Sequence, residues 1–133
     1  MSTIKTIEQK RSEFAMNCVN EIIEKGQKKL RGNYRGLVKK FPMMVLKNGL
    51  LQTVVFLEAK RKEHHNFLLE HLRRYLEEGH SPLRFEIGNS MFSEFLANQK
   101  IETYRNITSD ILAFSKWLGR YAEALIEEEE ESE

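Results

Sequence analysis

The chain has 133 residues, of which 41% are hydrophobic and 31% charged, a composition typical of one globular domain rather than a disordered chain. Its net charge is +1, but six glutamates lie in the last seven residues, and the rest carries 21 basic and 14 acidic residues. No stretch matches a membrane span or a signal peptide, and a single cysteine cannot form an internal disulfide. We therefore expect a cytoplasmic protein that makes no membrane contact.

Apolar residues recur at helical spacing over residues 4–30, which predicts a first amphipathic helix. Thr6 and Gln9 fit a capping box at its start, in which each side chain accepts a hydrogen bond from the other residue's backbone. The Arg-Gly-Asn sequence at 31–33 predicts a break after this helix, because glycine and asparagine commonly follow a helix end. A short helix should then cover residues 34–40.

The middle of the chain is its most hydrophobic part. Phe41 precedes Pro42, and a residue before proline avoids the helical region, so a bend is expected there. Residues 43–59 are apolar around nearly the whole helix circumference, which predicts a central helix buried on several sides. Gly49 inside this helix predicts the close approach of a neighbouring helix.

The C-terminal half alternates helices and loops. A more polar helix is expected over 60–78, a loop over 79–89, a short helix over 90–96 and a last helix over 102–126. The apolar stripe of the last helix advances in steps of three and four residues, as an amphipathic helix requires.

These elements predict an all-α fold, a single-domain bundle of five or six helices over residues 1–126. The glutamates of 127–133 are expected to form a solvated acidic tail. No segment shows the period of two that a half-buried strand requires. Cys18 lies in the apolar stripe of the first helix, which indicates a core residue rather than a reactive thiol.

Residues suited to catalysis or metal binding are sparse. His64 and His71 share a helix face, but zinc needs three or four ligands and no third histidine or cysteine follows on that face, so both are interpreted as surface histidines. Asp110 is the single aspartate, which argues against an aspartate-rich divalent-metal site. Phosphate-loop and nucleophile-elbow motifs are absent. We expect no catalytic residues, no metal and no cofactor.

The spacing of one arginine and one histidine suggests catalysis instead. Arg74 and His80 resemble the arginine–histidine motif of helical HEPN ribonucleases, in which histidine transfers protons and arginine contacts phosphate. A helical ribonuclease using these two residues is one alternative function. A second alternative is a protein-interaction adaptor without a nucleic-acid role, whose basic surface meets an acidic partner.

The clearest indication of a binding function is a basic segment. Between residues 25 and 57 there are eight basic residues and no acidic one, a field suited to a phosphate backbone or an acidic partner. An ordinary solvated surface, balanced in three dimensions by glutamates elsewhere, remains the other interpretation. The eight residues are Lys25, Lys28, Lys29, Arg31, Arg35, Lys39, Lys40 and Lys47.

Two longer stretches carry a family resemblance. Residues 39–57 read KKFPMMVLKNGLLQTVVFL, and residues 104–124 read YRNITSDILAFSKWLGRYAEA. In this order, and in a helical chain of this length, they resemble the small helical subunit of the type III-B CRISPR effector, the Cmr complex. The sequence departs from the family's usual pattern at Gly119, where a lysine is common.

The resemblance implies a non-catalytic subunit in antiviral defence that stacks with copies of itself along a ribonucleoprotein filament. Its partners would be the other subunits of the Cmr effector complex and the backbone of guide RNA and target RNA, and other subunits would cleave the target. Combined with the basic segment, it identifies six candidate RNA-binding residues: Arg35, Lys39, Lys40 and Lys47 near the first motif, and Lys116 and Arg120 in the second.

Overall fold

The computed structural model describes residues 4–78 and 81–127. In these ranges the chain forms six α-helices and no β-strand, which confirms the predicted all-α fold. None of the described helices is both long and apolar enough to cross a membrane. The helices are α1 (Ile7–Lys25), α2 (Lys28–Asn48), α3 (Leu50–Lys60), α4 (Glu63–Glu77), α5 (Phe92–Ala97) and α6 (Ile101–Leu125).

The longest helix, α6, lies at the centre of the fold and packs against both α1 and α2. Its buried stripe has the predicted spacing and includes Ile107, Ile111, Phe114 and Leu118. The capping box at the start of α1 is confirmed: the Thr6 hydroxyl accepts from the backbone N–H of Gln9 at 3.0 Å, and the Gln9 side chain accepts from that of Thr6 at 2.8 Å. Cys18 is buried, as expected, and burial raises its pKa to about 12.

The predicted break at 31–33 is wrong, because α2 continues through Gly32 and the chain turns at Gly26 instead. A Cβ atom at Gly26 would lie 2.6 Å from the Ile22 carbonyl oxygen and 2.8 Å from the Leu30 side chain, so this turn requires glycine. Arg31 supports it by donating a hydrogen bond to the Gly26 carbonyl at 2.9 Å.

The predicted central helix is also wrong. Helix α2 continues through Pro42, held by the buried neighbours Phe41 and Val45, and ends at Asn48. The break falls at Gly49, whose φ of 86° is readily adopted by glycine. A Cβ at this position would meet only the Tyr104 hydroxyl at an ordinary 3.8 Å, so backbone conformation, not close helix approach, explains this glycine.

The break changes which apolar residues are buried. Leu50 begins α3 and is fully buried, whereas Phe56 in the same helix is 44% exposed. On α2, Met43 and Leu46 are 58% and 68% exposed. The segment that is apolar all round therefore faces solvent on one side.

The described part of the chain ends two residues after α6. Ile126, just after α6, is buried, and Glu127 is exposed. The remainder of the predicted acidic tail, and the loop residues 79 and 80, lie outside the described residues.

Candidate nucleic-acid interface

A groove with a volume of about 1390 Å³ lies between α2 and the corner where α3 meets α4. Among the described residues that line it there are six lysines and a single carboxylate, that of Glu63. We name this surface the lysine groove. Its lysines are Lys25, Lys29, Lys39, Lys40, Lys60 and Lys62.

Helix geometry places the lysines of each wall. On α2, Lys29 and Lys40 are three turns apart and share one helix face, and Gly36 between them adds no side chain to the groove. On the other wall Arg61 adopts the left-handed conformation, with φ of 58°, and ends α3. This turn brings Lys60 and Lys62, on either side of it, to the same corner.

The second wall also carries two histidines. The rings of His64 and His65 lie 4.2 Å apart. Burial, together with His65, Lys62 and Lys40, lowers the pKa of His64 to about 4. Burial and nearby lysines also lower the pKa of His65. Both rings are therefore mainly neutral at pH 7, and the positive charge of the groove comes from its lysines.

Three of the predicted RNA-binding residues lie on the exposed side of α2. Lys39 and Lys40 line the lysine groove, and Lys47 lies two turns beyond Lys40 on the same helix face. The Lys39 ammonium is 3.7 Å from a carboxylate oxygen of Glu123 on α6. The structure therefore brings Lys39 and Lys40 together and places Lys47 further along the same helix.

The other three predicted residues lie elsewhere. Arg35 is only 6% exposed, which differs from the expectation of an exposed side chain beside the lysines. The reason is that this face of α2 is directed into the bundle. Lys116 and Arg120 are exposed one turn apart on α6, but neither lines the groove. Between them, a Cβ at Gly119 would lie 3.6 Å from the Val38 carbonyl oxygen, so α6 and α2 approach closely there.

His71, predicted to be a surface histidine, is instead fully buried at the junction of α1, α2 and α4. Its Nδ1 accepts from the Tyr34 hydroxyl at 2.7 Å, and its Nε2 donates to Glu21 at 2.8 Å. Burial lowers the pKa of His71 to about 4, so the ring is neutral near pH 7. Although burial opposes ionisation of Glu21, hydrogen bonds from Arg74, His71 and Lys25 lower its pKa to about 2.

The arginine of the ribonuclease-like spacing belongs to this same network. Arg74 donates to Glu21 at 2.7 Å, and its Nε lies 3.5 Å from a carboxylate oxygen of Glu70. His80 lies outside the described residues. Arg74 therefore joins α1 to α4, and the described geometry gives no support to the ribonuclease hypothesis.

A second network surrounds the single aspartate. Asp110 is buried on α6 and accepts hydrogen bonds from Arg11 at 3.0 Å, from the Tyr75 hydroxyl at 2.6 Å, and from Ser81. Its carboxylate therefore joins α1, α4 and the loop after α4 to α6. The described residues contain no group of three or more histidine, cysteine or acidic side chains arranged to hold a metal ion.

Sequence reasoning missed Lys60 and Lys62 as groove residues, although Lys60, Arg61 and Lys62 are three consecutive basic residues. It also missed the role of Asp110, which the stripe of α6 places between Ile107 and Ile111 on the buried face. A charged residue inside an apolar stripe is the signal for such a network.

Comparisons with known proteins agree with the motifs. The sequence profile of a CRISPR-associated protein family, Cas_Cmr5, matches residues 7–125. A Thermus thermophilus protein described as CRISPR system Cmr subunit Cmr5 is 30% identical over 115 residues, 86% of this chain and 94% of its own. The Thermotoga maritima protein of the same description is 33% identical over 130 residues, 96% and 90% of the two chains.

The fold agrees as well. The crystal structure of a CRISPR-associated Cmr5 family protein from Thermus thermophilus is similar with a TM-score of 0.76 at 29% identity, over 93% of this chain and 100% of that one. The family match covers both sequence motifs and all six described helices, so the resemblance is confirmed. The chain belongs to the Cmr5 family of CRISPR-associated proteins.

Proposed function

We propose that this chain is the small, non-catalytic subunit of a type III-B CRISPR Cmr effector complex and contacts the backbone of guide and target RNA. Family membership and the names of its relatives support the assignment to the complex. The observation that carries the RNA contact is the lysine groove, where six lysines face one carboxylate among the described lining residues.

The chemistry of the groove suits phosphate. Lysines that neutralise phosphates release condensed counterions, which favours binding at low salt. Such contacts to the backbone do not depend on the base sequence of the RNA. Lys47 extends this basic surface along α2 beyond Lys39 and Lys40, and the exposed Lys116 and Arg120 offer further contacts on α6. Arg35 is left out of the contact surface because its side chain is buried.

Protein neighbours are proposed for the same region. Met43 and Leu46 are exposed on α2 close in sequence to Lys47, and apolar side chains of this size at a surface are typical of protein contacts. We assign this contact to other subunits of the complex and to copies of the same chain stacked in a filament. Stacking raises the effective affinity for RNA, because each subunit contributes another weak site.

Target cleavage is assigned to other subunits. The side chains that sequence reasoning considered for chemistry, Arg74, His71 and Asp110, take part in networks that join helices. We also propose a cytoplasmic location, in keeping with a chain whose single cysteine is buried and cannot form an internal disulfide.

The test is charge reversal at Lys39, Lys40 and Lys47 to glutamate in the assembled complex. The far-UV spectrum should stay helical, RNA retention should fall, and the slope of log affinity against log salt should decrease in magnitude by about 0.7–0.9 per lost phosphate contact. Lys10, Arg84 and Lys100, exposed residues that do not line the groove, changed together to glutamate provide the matched control. A variant complex that holds RNA like the wild type, with the same salt slope, would contradict the proposal.

A further inference from the structure

The lysine groove contains aromatic side chains as well as charge. Phe56, His64 and His65 all line it, on the wall formed by α3 and α4. Phe56 is 44% exposed, and the Lys60 ammonium lies 5.3 Å from its ring centroid. The rings of Phe56 and His65 pack edge to face, with their centroids 6.4 Å apart. These rings sit between lysines of both walls, so charge and aromatic surface are combined in one concave site.

This combination distinguishes between forms of RNA. A paired helix presents its phosphates outward and keeps its base faces stacked inside, where protein rings do not reach them. An unpaired strand offers both phosphates and free base faces. Proteins that bind single strands combine a positively charged groove with aromatic side chains on which bases stack.

We propose that the lysine groove binds a single-stranded stretch of RNA, with lysines of both walls contacting its phosphates and with Phe56 and His64 contacting its bases. The inference rests on the proposed function for the nature of the ligand and goes beyond it by naming the unpaired strand. An acidic protein segment would satisfy the lysines but would leave the exposed Phe56 ring without a stacking partner.

The neutral state of the two histidines fits this role. With a pKa of about 4, His64 contributes a ring rather than a charge near pH 7. The electrostatic part of binding then depends on lysines, including Lys29 on one wall and Lys62 on the other. These two lysines are separate from the three residues that test the proposed function.

The first experiment measures fluorescence anisotropy of a labelled oligouridylate of about 12 nucleotides. It is titrated with the isolated full chain and compared with an RNA duplex of the same length. The single strand is expected to bind about tenfold tighter or more at the same salt. Equal or tighter binding of the duplex, or no binding of the single strand, overturns the inference, while the proposed function is judged separately in the assembled complex.

The second experiment uses variants that separate stacking from charge. Phe56→Leu keeps the apolar bulk of a half-exposed side chain and is expected to weaken single-strand binding about fivefold or more with duplex binding unchanged. Lys29→Glu with Lys62→Glu should weaken binding of both RNAs and flatten the salt dependence. Lys10→Glu with Lys100→Glu is the matched control, and circular dichroism verifies the fold of each variant.

Two results of this second experiment would overturn the inference. The first is a Phe56→Leu variant that binds the single strand as tightly as the wild type. The second is an oligoglutamate peptide that displaces the single strand at equal concentration, with the same affinity for the wild type and for Phe56→Leu. That result would identify the groove as a site for an acidic protein segment instead.

Discussion

The charged side chains of the lysine groove and those of the two buried polar networks have very different surroundings. Asp110 accepts from three donors, and Glu21 accepts from Arg74, His71 and Lys25. The described residues that line the groove include six lysines and one carboxylate, and two of these lysines have a carboxylate neighbour outside the lining: Lys25 is paired with Glu21 and Lys39 with Glu123. The charges of the networks therefore hold helices together, whereas lysines outnumber carboxylates at the surface of the groove.

Solvation explains the difference. A buried carboxylate loses its hydration, so it persists only where hydrogen bonds and opposite charges replace the water. An exposed lysine keeps its ammonium hydrated while its stem lies along the surface, so no partner is needed for stability. A surplus of exposed lysines at one concave surface is thus a better indication of ligand binding than charge content alone.

The largest expected effect is at Asp110. Replacing it with alanine removes the buried acceptor of Arg11, Tyr75 and Ser81, and leaves exposed Glu8 as the carboxylate partner of Arg11, so the free energy of unfolding should fall by about 3–5 kcal/mol. Urea unfolding followed by circular dichroism measures this. The control is Glu123→Ala, an exposed carboxylate paired with Lys39, which should change stability by less than about 1 kcal/mol. Similar effects of the two variants would contradict the distinction.

An intermediate effect is expected from pH. The pKa of buried His71 is lowered from 6.5 to about 4. The unfolded chain therefore takes up a proton first as pH falls, and stability should decrease between about pH 6.5 and 4, by about 3 kcal/mol. Below about pH 4.5 the lowered pKa of Glu21 adds to the loss in the same direction, because its folded form resists protonation.

His64 provides the comparison in the groove. Its pKa is also lowered to about 4, but it is only half-buried, so solvent screening should reduce its contribution to stability. Urea unfolding at a series of pH values should therefore show a flatter pH dependence for His71→Gln than for His64→Gln. If His64→Gln flattens the curve more, the groove histidine is the better shielded of the two.

The smallest expected effect is on the stability of groove variants. Lys29→Gln with Lys62→Gln should change the free energy of unfolding by no more than about 0.5 kcal/mol, with a slight gain where like charges repel. The same unfolding measurement checks this. A loss of more than about 1 kcal/mol would assign these lysines to the structure rather than to a ligand.

Much of the fold was predictable because its signals are local. The Thr6–Gln9 capping box involves residues three apart, and the stripe of α6 follows from helical periodicity. The helix ends at glycines were predicted less well. Gly26 and Gly49 end helices whereas Gly32 lies inside one. Close contacts with Ile22 and Leu30 explain Gly26, and a positive φ explains Gly49, and neither can be recognised from the residue type.

The candidate site was predicted only in part. The sequence indicated the lysines of α2, since residues 25–57 contain eight basic residues and no acidic one. It did not indicate that Arg35 is turned inward or that Lys60 and Lys62 face Lys40 across a groove. Those facts depend on the rotation of α2 and on the turn at Arg61.

By itself, the sequence determined the helical class, the family and the basic character of α2, because periodicity, motif order and charge are properties of neighbouring residues. Tertiary structure decided which charges are paired in the interior and which lie at the surface of the lysine groove. The partners of His71 lie 37 and 50 residues away in sequence, and those of Asp110 lie 99, 35 and 29 residues away. Contacts at such separations are set by how whole helices pack, because burial of the apolar stripes fixes the positions from which the polar side chains meet.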